Sequence, residues 1–436
     1  MNNQKLYRTI SLRVLPVLFV SFLFNFLDRV NVGFANLSMS ATLGMDSAAY
    51  GFGAGLFFVG YFFFEIPSNL ALYRFGARIW IARIVFSWGV LTTLTAFVSH
   101  PWQFYTLRFL LGAAEAGFFP GIILYLTWWY PSPMRARIQA VFLSAIAVTG
   151  ILGGPVSGLI MNSSQGWLGM ADWQWLFLLE GTPCFMVAVW IFCALPDKPA
   201  DARWLDAGSK KLVEDVLRAE EDDRHRMGAP ESAMSGLRNT SVWKLCAIYF
   251  CQAMGLYGIT FWLPEVVKEL GWKNPAQIGF ITAIPWTVAV ILMFLFSTIS
   301  DRFRARRIPA IVAAVIGSAG FILCAVFQSP IADIAAISFG AGGVLSLIAI
   351  TWSFPSAILS GAAAAAGIAL INSVGNLGGF CSPTLIGILV KRTGNLDDGM
   401  ILTGIFLALA GVLLFVFKSL EPSPLTSGSA SDRRPR

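Results

Sequence analysis

Asp28 and Arg29 lie in an apolar run covering residues 14–34, and Arg108 and Glu115 lie in another at 102–126. A charge at the centre of a membrane helix costs at least ~2.5–3.5 kcal/mol, so such residues are normally paired and usually functional. Asp28 and Arg29 come about fifteen residues into their run, roughly 8–10 Å beneath the hydrocarbon edge if the run is a helix crossing lipid. Arg108 enters its run from that same edge and reaches a similar depth. Glu115 follows seven residues later, two helical turns, so it projects from the same face about 10 Å deeper, near the midplane.

Two guanidinium groups at one depth suit a negatively charged passenger, because Arg keeps its proton and grips a carboxylate through two parallel hydrogen bonds. Glu115, with Phe118 and Phe119 beside it, is placed to take a proton from one side and release it to the other; Asp28 is a second candidate for that role. The alternative is that Asp28 with Arg108, or Arg29 with Glu115, form buried pairs that only tie helices together. Glu65 reads as structural, within reach of an Arg of the 74–83 loop, and Glu180 in Trp175-Leu176-Phe177-Leu178-Leu179-Glu180-Gly181 reads the same way. Tyr61, Trp352, Asn372 and Asn376 either complete the polar site or serve as packing, interface and interhelical hydrogen-bonding residues.

The elements that must position these groups follow from composition. Of 436 residues, 56% are hydrophobic and 13% charged, against about 25% charged in a soluble domain, so a water-facing surface of ordinary extent cannot be built. The apolar residues fall into twelve runs near 14–34, 50–73, 79–98, 102–126, 138–161, 173–195, 243–265, 277–299, 307–328, 331–355, 363–390 and 400–418. Each has the length a helix needs to cross about 30 Å of hydrocarbon. Strand-like alternation does not recur, so a barrel is the poorer reading. The first run is too long for a cleavable leader and has no cleavage site, so it is expected to stay as a helix. The expected fold is all-α, twelve transmembrane helices in two six-helix bundles around a central cavity.

With the N-terminus inside, the inner segments hold 25 Lys and Arg and the outer ones four, Lys268, Lys273, Lys391 and Arg392. The positive-inside rule therefore puts both termini in the cytoplasm. The same bias explains the net charge of +7, which then argues for a lipid bilayer and not for nucleic acid as partner. All six cysteines sit in predicted spans without metal spacing; no disulfide, metal or cofactor is expected.

Residues 196–242 are the long polar stretch between spans, read as a cytoplasmic linker with an amphipathic helical piece. They separate an N-terminal bundle (1–195) from a C-terminal bundle (243–420), with 421–436 a disordered cytoplasmic tail. Motifs recur across the linker at nearly one offset. Thr127-Trp128-Trp129-Tyr130-Pro131-Ser132 is echoed by Thr351-Trp352-Ser353-Phe354-Pro355-Ser356, and Gly150-x-x-Gly153-Gly154 by Gly375-x-x-Gly378-Gly379. Tyr73-Arg74 with Arg78 is echoed by Asp301-Arg302 with Arg306 and Arg307. Such a parallel repeat implies two related bundles with a site between them near the midplane, an architecture for alternating access.

Three segments carry a family resemblance: Leu27-Asp28-Arg29-Val30-Asn31-Val32-Gly33, the stretch from Arg108 to Pro120, and Trp173 to Gly181. On these the chain resembles the major facilitator superfamily, and within it the anion:cation symporter family of tartrate, phthalate and sugar-acid permeases. The resemblance implies substrate binding and proton coupling for Asp28, Arg29, Arg108 and Glu115, and substrate contact for Tyr61, Trp352 and Asn372. It also implies gating by Arg74, Asp301 and Arg302, although Tyr73 stands where the superfamily's inner-loop signature has an acid.

The expected function is proton-coupled symport importing a small organic anion, by a monomer in a bacterial inner membrane. An exchanger or uniporter without proton coupling is the alternative. A membrane enzyme is disfavoured, since His100 and His225 fall in loops and no nucleophile or metal set is visible. A transporter-like sensor would need a signalling domain larger than the linker or the tail.

Overall fold

The computed structural model describes residues 3–226, 233–303, 306–327, 329–355 and 361–417; Ser356 of the repeated motif and the tail 421–436 lie outside them. Among the described residues the regular structure is helical throughout, and twelve segments are long and apolar enough to cross a membrane. The N-terminal half comprises α1 (Asn3–Leu43), α2 (Ser47–Phe75), α3 (Ala77–Thr95), α4 (Pro101–Glu115), α5 (Phe118–Thr127), α6 (Ser132–Ser163), α7 (Asp172–Gly181) and α8 (Pro183–Ala194). The linker carries α9 (Ala207–Arg226) and α10 (Ala233–Arg238). The C-terminal half comprises α11 (Thr240–Glu269), α12 (Pro275–Phe303), α13 (Arg307–Cys324), α14 (Pro330–Thr351), α15 (Gly361–Thr393) and α16 (Asp397–Val416).

Two spans are each built from two helices. In the fourth, Ala116 leaves helical geometry with ψ 135° and Gly117 takes φ +84°, a conformation glycine adopts without strain. The main-chain ladder stops at Ala116 N–H on the Gly112 carbonyl and resumes with Gly121 N–H on the Gly117 carbonyl, and Glu115 is left at the end of α4. In the sixth, α8 begins at Pro183, which has no N–H to continue the preceding helix.

Glycine decides how closely α2 and α4 approach. A methyl group on Gly112 would lie 1.8 Å from the Phe57 carbonyl oxygen, and one on Gly60 would lie 2.1 Å from the Phe109 carbonyl oxygen. Both neighbours are main chain and cannot rotate aside. Gly112→Ala should therefore destabilise the protein by about 3 kcal/mol, the upper part of the range for overpacking, read as a lower thermal midpoint of the detergent-purified protein. An unchanged midpoint would show that α2 can move off α4.

The two bundles meet on the face opposite the linker. Methyl groups on Gly51, Gly387 and Gly158 would lie 2.1, 2.3 and 2.3 Å from the carbonyl oxygens of Pro383, Ser47 and Pro275, so these backbones touch with no side chain between them. Tyr50 Oη donates to the carbonyls of Phe261 at 3.2 Å and Val32 at 3.3 Å, and Asn274 donates to Asn162 at 2.8 Å. Lys391 pairs with Asp46 at 2.9 Å.

Asp46 also caps α2, accepting the Ala49 N–H at 2.8 Å, and this bond, with Lys391 next, holds its carboxyl below the usual value. A depressed carboxyl contributes stability above its unfolded pKa and loses that contribution as pH falls through its folded one. Asp46→Ala should cost about 1 kcal/mol at neutral pH, a typical cap loss. In thermal melts the gap between Asp46→Ala and the parent protein should shrink on acidification through the Asp46 titration; a gap independent of pH would assign the loss to something other than the carboxylate.

Candidate functional site

Arg29 is the centre of the site because of where α1 turns it. Its Nε donates to Glu115 Oε1 at 2.9 Å, its Nη2 donates to the same oxygen, and its Nη1 donates to Tyr257 Oη of α11, in the other bundle, at 3.3 Å. The guanidinium lies 5.2 Å from the Phe57 ring centre and 5.5 Å from that of Tyr61. Its side chain is 13% exposed and that of Glu115 1%. The other Glu115 oxygen, Oε2, is buried without a hydrogen-bond partner. A carboxylate and a hydroxyl from different bundles thus share one cation.

Arg108 is placed differently. It is fully buried, its Nη2 makes one long contact of 3.4 Å to the Ala54 carbonyl, and its Nε has no partner. Its guanidinium stands 5.0 Å from the same Phe57 ring that Arg29 approaches. The expected layer of two guanidiniums facing the cavity therefore does not form in this state. The Gly60 and Gly112 contacts press α2 onto α4, so Ala54 and Phe57 enclose Arg108, and of the two arginines it is Arg29 that reaches the other bundle.

Asp28, 100° round α1 from Arg29, faces α3. It accepts Thr92 Oγ1 at 2.8 Å and Asn31 Nδ2 at 3.3 Å, and no ion pair joins it to Arg108 among the described residues. Glu65 corrects the sequence reading: it accepts Asn372 Nδ2 at 2.9 Å and Ser373 Oγ at 3.0 Å from α15. It is a cross-bundle link and not the partner of a loop arginine, because α2 packs along α15 at this depth. Asn372 is held by that link, Asn376 is buried, and Trp352 packs edge-on to Tyr249 at 5.0 Å.

A sequence model of the Major Facilitator Superfamily matches residues 18–383. The chain belongs to that superfamily. A protein of Agrobacterium vitis named as a tartrate transporter is 40% identical over 427 residues, 98% of this chain and 94% of that one. The Pseudomonas putida protein named as metabolite transport protein NicT is 42% identical over 390 residues, 89% of each. A bacterial homologue of the human lysosomal transporter Spinster, solved inward-facing and occupied, shares the fold with a TM-score of 0.76 at 17% identity, covering 96% of this chain and 99% of that one. As a major facilitator protein the chain is a multi-pass membrane transporter and not an enzyme.

The superfamily's inner-loop signature is split between expected and unexpected residues. Arg74 is exposed with its guanidinium 5.6 Å from the Phe75 ring, and Asp301 and Arg302 are exposed at the end of α12. The ties in these loops come from their neighbours. Arg78 N–H bonds Asp197 at 2.8 Å and its Nε bonds the Phe192 carbonyl at 2.5 Å, while Arg306 Nη1 bonds the Ser353 carbonyl at 2.9 Å. Asp197, after α8, is thereby bound to the start of α3.

Sequence reasoning also missed Tyr257, Phe57 and Ser373. Each sits in an apolar or mixed helix with no local signal of its role; what singles them out is a partner more than fifty residues away.

Proposed function

We propose that this transporter is a proton-coupled importer of a small organic anion across a bacterial inner membrane, with both termini cytoplasmic. The observation that carries the reading is the sharing of Arg29 between Glu115 and, across the bundle boundary, Tyr257. A substrate carboxylate competes with the Glu115 carboxylate for the guanidinium, since both offer the same acceptor geometry. Protonated Glu115 releases Arg29 to the substrate; when the substrate leaves, Glu115 gives up its proton and takes the guanidinium back. Binding of anion and proton is thereby linked, and the buried cation is never left without a counter-charge.

In this reading Tyr61 fixes the plane of Arg29, Trp352, Asn372 and Asn376 contribute to the substrate surface from the C-terminal half, and Arg74, Asp301 and Arg302 belong to the linker-face gate. Arg108 balances the charge of Asp28 and holds Phe57. The tartrate-transporter name of a 40% identical relative supports a carboxylate substrate. The test is uptake into liposomes containing the purified protein, with a panel of hydroxy-acid, sugar-acid and aromatic carboxylates and an imposed proton gradient. Accumulation that an uncoupler abolishes supports the reading; accumulation indifferent to the uncoupler favours an exchanger or uniporter in which Arg29 and Glu115 are a fixed pair.

A further inference from the structure

Glu180 is a second carboxyl buried in the N-terminal half, and the site above makes no use of it. It lies in the last turn of α7, eight residues or about 12 Å of helix from Asp172 at the face opposite the linker, where Ser38 Oγ bonds that residue at 2.6 Å. Glu180 Oε1 accepts Ser157 Oγ of α6 at 2.8 Å. The side chain of Asn31 donates to Asp28 Oδ1 at 3.3 Å, and Asn31 and Asp28 both lie near enough to Glu180 to act on it electrostatically. Two hydrogen-bonded groups, Thr92–Asp28–Asn31 from α3 and α1 and Ser157–Glu180 from α6 and α7, thus lie near one another in the interior of the bundle.

Donors run short here. Asp28 Oδ2, Asn31 Oδ1 and Glu180 Oε2 are all buried acceptors without a partner. Asp28 has the Arg108 guanidinium as a nearby cation. No ion pair reaches Glu180 among the described residues; the ionisable groups that face it are Asp28 on α1 and the Cys184 thiol on α8, and the contacts from α6 and α3 are uncharged. Two buried carboxylates near one another, with a single cation beside Asp28, leave a charge uncompensated, whereas a proton on Glu180 supplies a missing donor and removes that charge.

We propose that Glu180 carries an exchangeable proton and delivers it to Asp28, giving the N-terminal bundle a proton route separate from the substrate cavity. In the transfer one O–H bond breaks at Glu180 and one forms at Asp28; Glu180 then takes a proton from water on the face opposite the linker. The role in transport rests on the proton-coupled reading above, but the protonation is measured without transport. Infrared spectra of the purified protein at neutral pH should contain a protonated-carboxyl C=O band that is missing in Glu180→Gln. In Ser157→Ala, which keeps the acid but removes the donor to its oxygen, the band should move to higher frequency. In liposomes Glu180→Gln should lose proton-driven uptake by about 100-fold, the low end of what a positioned proton-transfer group contributes, while exchange of labelled substrate continues. Gln keeps the Ser157 bond, so a merely structural Glu180 predicts wild-type uptake with the wild-type pH profile, and that result, or identical infrared bands in the two proteins, overturns the proposal. Uptake by the parent protein that ignores an uncoupler overturns the coupling reading and the relay with it, even if the Glu180 band is present.

Discussion

Glu115→Gln should abolish net proton-driven uptake, a loss of at least ~100-fold, and leave exchange of labelled substrate across the same liposome membrane running. The amide keeps the size of the acid and can still offer an oxygen to Arg29, but it cannot take up or release the coupled proton. It also removes the counter-charge of a buried guanidinium, worth about 3–5 kcal/mol when one partner of such a pair is lost. The substrate anion becomes the remaining source of that counter-charge, so it should bind more tightly and the transporter should reorient chiefly when loaded. The expected signature is a lower apparent KM in exchange together with lost accumulation. Gradient-driven accumulation at the parent rate in Glu115→Gln would remove this residue from the coupling step.

The second large effect is expected at Arg29, and its contrast with Arg108 makes it informative. Arg29→Ala should weaken substrate binding by about 2–5 kcal/mol, on the order of 30-fold or more in Kd. Arg29→Lys should recover only part of this, because an ammonium cannot bridge Glu115 and Tyr257 with a planar fork. Arg108, enclosed by Ala54 and Phe57, should behave as a structural cation: Arg108→Lys should lower the thermal midpoint more than it alters KM. Equal losses of affinity at the two positions, with unchanged melting, would mean that the anion reaches Arg108 in another state of the cycle and that two guanidiniums grip it after all.

The sequence made the spans legible because lipid imposes length and apolarity on every segment that crosses it. The depth of Asp28, Arg29, Arg108 and Glu115 followed from the same constraint. Which of these groups meet did not follow, since a seven-residue spacing fixes a shared face but says nothing of the neighbour pressed against that face. Gly60 and Gly112 determined that α2 would cover Arg108, and neither differs locally from the many glycines of membrane helices. The break after Glu115 was hidden for a related reason: Gly117 is compatible with a continuous helix, and the nearness of Ser68, 2.4 Å from where its side chain would start, is a property of α2. The structural reading of Glu65 stands, but its partner was misassigned, because a nearby arginine in sequence is easier to see than an asparagine three hundred residues away.

The interruption of the fourth span sets how far a disturbance at the carboxyl end of α4 has to travel. Since the hydrogen-bonded ladder is already open between Ala116 and Gly121, rotation about the glycine joint can swing Glu115 away from its guanidinium without stripping main-chain bonds from α5. The α4 backbone stays seated on α2 at Gly60 and Gly112, so the freedom is confined to its last turn, and a chemical event at one oxygen atom can be taken up at the joint instead of along the whole span.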